Sequence, residues 1–160
     1  MTDARHPTLQ APPPPDVFSW RDRIRWADSD PMGIVFYGAY LRLIGATESE
    51  MFRACGLPID VVRLQRELWL PRKALHLEFH SAAALEEEVV VRAWFERIGT
   101  TSITMRFEFH RASDDAHRAS GSLTVVHVER ESMRPRPLPD DLKASLARFA
   151  ATPAGPGTDA

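Results

Sequence analysis

The sequence predicts a single α+β domain in which an antiparallel sheet packs on one long apolar helix. Three observations carry this. Apolar residues recur at three-four spacing along one long stretch, residues 37–55. On either side of that stretch the period is two, the signature of half-buried strands. The chain has 160 residues and no internal repeat, enough for one substantial core and no second domain.

The elements follow in order. Residues 18–26 nearly alternate, with Phe18, Trp20, Ile24 and Trp26 on one face and Ser19, Arg21, Arg23 and Arg25 on the other. Asp22 is the polar intrusion on the apolar side. The helix of about 18 residues carries Tyr37, Tyr40, Leu41, Ile44, Met51, Phe52 and Cys55 as its stripe, and Gly56 and Pro58 end it. Strands are then expected at 73–79, 89–96, 103–110 and 119–129. The third of these alternates strictly, Ile103, Met105, Phe107 and Phe109 against Thr104, Arg106, Glu108 and His110. Arg97–Thr100 and Ser113–Asp115 supply turns, and a last helix over 139–149 opens on Asp140 and Asp141, acids suited to a helix N-terminus. The four prolines 12–15 make residues 1–16 an extended tail, and residues 151–160, rich in Ala, Pro, Gly and Thr, a second flexible end. The folded domain is expected at 17–150.

Composition excludes several classes. The net charge is −2 with both signs interspersed, so no basic block marks a nucleic-acid surface. The single Cys55 excludes an internal disulfide and a cysteine-rich metal site, and its place on the apolar stripe makes it a buried structural thiol. No hydrophobic run reaches membrane-spanning length and the N-terminus has no apolar signal core, so the expectation is a soluble, cytoplasmic protein without membrane contact. There is no G-x-S-x-G elbow, phosphate loop or dinucleotide fingerprint. His76, His80, His110, His117 and His127 are read as scattered surface or structural residues, and no metal site is expected.

The remaining candidate is the stretch Asp28-Ser-Asp30-Pro31-Met-Gly33-Ile-Val-Phe36-Tyr37-Gly38-Ala-Tyr40. Carboxylates just before a helix either cap it or face a substrate held at its positive end. In the second case they combine with backbone N–H donors suited to a developing oxyanion. Gly33 is expected to supply a turn conformation closed to other residues, and Gly38 to let something approach the backbone. The N–H groups around Phe36 and Tyr37 would be unpaired donors. Glu48, on the helix stripe, is either an edge carboxylate paired with an arginine or a second carboxylate of the site.

With these residues in view the chain resembles the hot-dog-fold acyl-CoA thioesterases, in particular the 4-hydroxybenzoyl-CoA thioesterase group, from about Arg23 to Leu142. The resemblance rests on Asp28-x-Asp30-Pro31-x-Gly33-Ile34-Val35-Phe36-Tyr37-x-x-Tyr40, with Cys55-Gly-Leu-Pro58, Arg97-Ile-Gly-x-x-Ser102, Gly121 and Leu138-Pro139 in support. It implies a hot-dog fold, a sheet wrapped around a central helix, with subunits paired sheet edge to sheet edge and sites at the dimer interface, in a dimer or tetramer. It implies acyl-CoA hydrolysis without a cofactor, by Asp30 as nucleophile or general base and the Tyr37 backbone N–H as oxyanion donor. Phe36, Gly38, Tyr40 and Glu48 are the candidate substrate-binding residues.

Two departures bear on the substrate. Gly45 stands where group members often carry an acidic residue, thought to lie near a substrate hydroxyl, so 4-hydroxybenzoyl specificity is not implied. The turn Gly99-Thr100-Thr101 lacks the basic residues some members use to hold the nucleotide phosphates, a role open to Arg97, Arg130 or Arg134. That lack also keeps open an acyl-carrier-protein thioesterase; a non-catalytic acyl-CoA binding module has no need of Asp30.

Overall fold

The computed structural model describes residues 13–151, so the two tails lie largely outside the described residues. Five strands, β1 (Phe18–Arg23), β2 (Arg72–Phe79), β3 (Glu88–Ile98), β4 (Ser102–Arg111) and β5 (His117–Val126), form one antiparallel sheet in the order β1-β3-β4-β5-β2. The helix α1 (Ala39–Ala54) lies in the sheet's concave face, and a short helix α2 (Asp140–Leu146) follows the last strand. A five-stranded sheet wrapped around one helix is the hot-dog architecture.

The alternation of β4 decides which face is inside. Ile103, Met105, Phe107 and Phe109 are fully buried, while Thr104, Arg106, Glu108 and His110 are half-buried on the outer face. From α1, Tyr40, Leu43, Ile44, Met51 and Phe52 meet them. Edge contacts join helix to sheet, Tyr40 to Phe109 at 5.1 Å and Phe52 to Phe95 at 5.6 Å between ring centroids. Each fully buried large apolar side chain contributes about 1.5–3 kcal/mol. Gly121 belongs to this design, because a Cβ there would stand 2.7 Å from the His76 carbonyl of neighbouring β2.

The boundaries differ from expectation in instructive places. The first strand stops at Arg23 rather than Trp26. Asp28 accepts the Arg25 N–H on its carboxylate at 2.9 Å and donates its own N–H to the Arg25 carbonyl, curling 26–28 into a 3₁₀ turn that leaves Trp26 81% exposed. The helix starts at Ala39, so Tyr37 and Leu41 fall outside the buried stripe, which instead takes in Leu43 and Thr47. The final strand spans 117–126 rather than 119–129, and a π-helical turn over Val61–Gln65, unforeseen, follows α1. The last helix is regular only to Leu146 and tightens to 3₁₀ over Ala147–Phe149. Among the described residues no helix is long and apolar enough to cross a membrane.

Candidate active site

The turn before α1 is tied to the helix start by its own backbone. Asp30 N–H donates to the Ile34 carbonyl at 2.9 Å, Gly33 N–H to the Asp30 carbonyl at 2.9 Å, and Phe36 N–H to the Asp28 carbonyl at 3.0 Å. Gly33 sits at φ +76°, the left-handed region that glycine enters without steric cost. The loop is held from outside as well, since Val35 N–H donates to the Ala83 carbonyl at 3.0 Å and Ile34 bridges Ala84.

Within this frame Asp30 Oδ1 accepts the Met32 N–H at 2.8 Å and the Ile34 N–H at 3.4 Å. Oδ2 has no partner among the described residues. The carboxylate is therefore oriented through one oxygen and free at the other. Of the two amides named in advance, Phe36 N–H is not available, because Asp28 accepts it; the turn closes with that bond. The N–H groups of Tyr37 and Gly38 have no backbone acceptor among the described residues and stand at the positive end of α1. The space over Gly38 is taken by the Phe36 ring, whose Cε2 would lie 2.3 Å from a Cβ there, so the glycine admits that ring rather than an outside group. Phe36 is partly exposed, Tyr37 is 75% exposed, and Tyr40 is buried between Phe79 and Phe109.

Asp28 is a different kind of carboxylate. Its side chain is 6% exposed and takes a bidentate pair from Arg42, Nε to Oδ1 at 2.9 Å and Nη2 to Oδ2 at 2.5 Å. Arg42 Nη1 reaches Asp22 Oδ2 at 2.6 Å. Burial pushes both carboxyls up, but the hydrogen bonds and charge of Arg42 outweigh it and hold both below their ordinary value. Arg42 is the residue of this turn's framework that sequence reasoning missed. The signal was Asp22, the polar intrusion in an apolar strand face, which needed a cation across from it.

Glu48 lies elsewhere. Its side chain is 12% exposed and pairs with Arg72, and burial raises its pKa against the opposing charge of Arg72. It lines a cleft of about 470 Å³ together with Gly45, Phe52, Leu68, Trp69 and Val128, a cleft whose walls include neither Asp30 nor Tyr37. Within one chain the structure does not bring Glu48 and Asp30 into one cavity. A second buried pair, Arg118 with Glu87, bidentate at 2.7 Å and joined by Ser81 at 2.9 Å, sits near Tyr40. The Cys55 thiol is pushed up to about 11 by burial, in keeping with a structural role.

His80, His110 and His127 are hydrogen-bonded, in keeping with the structural role expected of them, but the histidines are not all scattered. His80, His110 and His117 gather on the outer face of the sheet, with ring centroids 4.3 Å apart for the first and last and 4.7 Å apart for the latter two.

Residues 24–146 match the model of the thioesterase-like superfamily. The chain belongs to the thioesterase-like superfamily. Among curated proteins it is similar to the acyl-CoA thioester hydrolase YbgC of Escherichia coli O6:H1, at 23% identity over 130 residues that cover 81% of this chain and 96% of the relative. Among solved structures it is similar to a thioesterase superfamily protein of Jannaschia, with a TM-score of 0.79, 24% identity, and 88% and 98% of the two chains covered. It is also similar to the 4-hydroxybenzoyl-CoA thioesterase of a Pseudomonas strain, with a TM-score of 0.72, 21% identity, and 81% and 98% covered. At such identities the structural likenesses establish the shared fold.

Proposed function

We propose that the protein hydrolyses acyl-CoA thioesters to a carboxylic acid and free coenzyme A. The observation that carries this reading is the Asp30 carboxylate, oriented through Oδ1 and unpartnered at Oδ2, on the same tied turn as the free Tyr37 and Gly38 N–H groups. Asp30 attacks the thioester carbonyl or draws a proton from a water that does. The amides at the start of α1 stabilise the oxyanion, with the helix dipole behind them. The thiolate is a good leaving group, so no strong general acid is required. The match to the superfamily and the hydrolase name of the YbgC relative support the same reaction class. The finer assignment, to the 4-hydroxybenzoyl-CoA thioesterase group, rests on the Asp28–Tyr40 motif.

The complete site joins two chains. β2 is an edge strand whose Leu75 and Phe79 are exposed, and Trp26, Met32, Phe36 and Tyr37 present further apolar surface around the carboxylate turn. A second copy covering these surfaces would set its own cleft, with Gly45 and Glu48, against Asp30. The test of the reading is thiol release from benzoyl-, phenylacetyl-, short-chain and medium-chain CoA thioesters and from an acyl-carrier-protein thioester. Turnover of one or more CoA thioesters supports it. Exclusive turnover of the carrier-protein thioester would move the protein to that substrate class, and tight binding without turnover would make it a binding module.

A further inference from the structure

The histidine cluster is remote in kind from the carboxylate turn. It lies on the outer face of β4 and β5, where the proposed hydrolysis uses no residue. We propose that Glu108, His110 and His117 bind a divalent transition-metal ion of the zinc type.

Local structure brings the three together. Glu108 and His110 are two apart on β4 and share its outer face. Continued alternation along β5 would put His117 on the core side with Ala119 and Leu123. Instead Phe109 pairs with Ala119 while His110 pairs with His117, a bulge that inserts Arg118 and turns His117 outward beside His110. Ligand atoms of all three residues lie within 4.8 Å of one another, and His117 Nε2 is 2.7 Å from Glu108 Oε2.

The surroundings have the features of a metal site's outer shell. His110 Nδ1–H donates to the Asp115 carbonyl at 3.1 Å, which orients the ring and leaves Nε2 as the nitrogen that would ligate. Arg106 Nε donates to Glu108 Oε1 at 3.0 Å, which orients the carboxylate and leaves Oε2 for the ion. Asp115, itself paired with Arg92, adds a second negative charge beside His110. Imidazole and carboxylate together suit zinc, at bond lengths of about 2.0–2.2 Å. The ion takes the place of the proton shared by His117 and Glu108, which passes to imidazole Nδ1 or to solvent. Three protein ligands leave a tetrahedral ion one position for water.

The test is calorimetric titration of the untagged full chain with zinc chloride near neutral pH. The expected result is saturable uptake of one ion per chain. Loss of an outer-shell partner alone costs about 10–100-fold in affinity, so His117→Gln and Glu108→Gln should each weaken binding by about tenfold or more. His6→Gln and His76→Gln should leave it unchanged. Zinc-soaked wild-type crystals, read at the zinc absorption edge, remove dependence on any variant's folding. An anomalous peak between Glu108, His110 and His117 is expected. Absence of saturable uptake, a peak at another position, or equal affinity in wild type and both folded variants would overturn the proposal.

Discussion

Arg42, in the first turn of α1, grips both oxygens of Asp28 and one of Asp22, and so fastens the helix start to the carboxylate turn and to β1 at once. A cation in the first turn opposes the helix dipole. Two carboxylates at 2.5–2.6 Å compensate for it. Asp28 and Asp30 thus divide the work of the turn, Asp28 by holding it in place and Asp30 by facing outward.

Arg42→Met should therefore destabilise the fold, because it leaves a buried carboxylate without its counter-ion. The expected loss is about 3 kcal/mol, at the lower end for broken buried pairs since the guanidinium edge reaches water. Urea or thermal denaturation of wild type and variant measures it. A difference within about 0.5 kcal/mol, typical of surface substitutions, would mean the pair holds nothing together.

The same pair sets a pH dependence. Asp22 and Asp28 are held below the ordinary 3.8, so their folded-state pKa lies under the unfolded one. Their contribution is complete above pH 3.8 and is lost as the pH falls from there through the folded value. The melting temperature of the wild type should drop in that acid window. The gap between wild type and Arg42→Met should narrow there, and a gap constant down to the lowest accessible pH would contradict the assignment.

Gly45 lines the cleft, and nothing stands within 4 Å of where its Cβ would be. With no side chain there to bond a para hydroxyl, 4-hydroxybenzoyl-CoA should not be favoured over benzoyl-CoA. A site built to bond a hydroxyl separates such a pair by about 10⁴–10⁵-fold, and an apolar pocket does so weakly. The comparison is kcat/KM for the two substrates under identical conditions. A preference of about a hundredfold for the hydroxylated one would transfer the polar contact to another residue, Glu48 first.

The exposed edge β2 and the apolar surface near Asp30 predict a homo-oligomer, dimer or tetramer. Light scattering of the 18.0 kDa chain at micromolar concentration checks this, and a fully active monomer would refute shared sites.

Strands whose two faces differ sharply were legible from the sequence alone. β4 matches its alternation residue for residue, and Gly33 takes the turn conformation expected of it. What was not legible depends on irregular backbone or distant partners. A single-residue bulge re-aims His117, and no periodicity in the local sequence encodes it. Arg42 reads as an ordinary helix-surface cation until Asp22 and Asp28, 20 and 14 residues away, are seen to close on it. The Phe36 amide looked free because the carbonyl that takes it belongs to Asp28, on the far side of the turn.

The most direct measurement is the turnover of Asp30→Asn on the best CoA thioester, read beside its melting temperature and those of Asp28→Asn. The amide keeps the shape of Asp30 and its Oδ1 contacts but serves neither as nucleophile nor as base. Turnover should fall by about 10²–10⁴-fold with the fold intact, while Asp28→Asn loses stability and keeps more of its activity. Retention by Asp30→Asn of more than about a tenth of the wild-type rate, below the range for lost acid–base catalysis, would contradict the account.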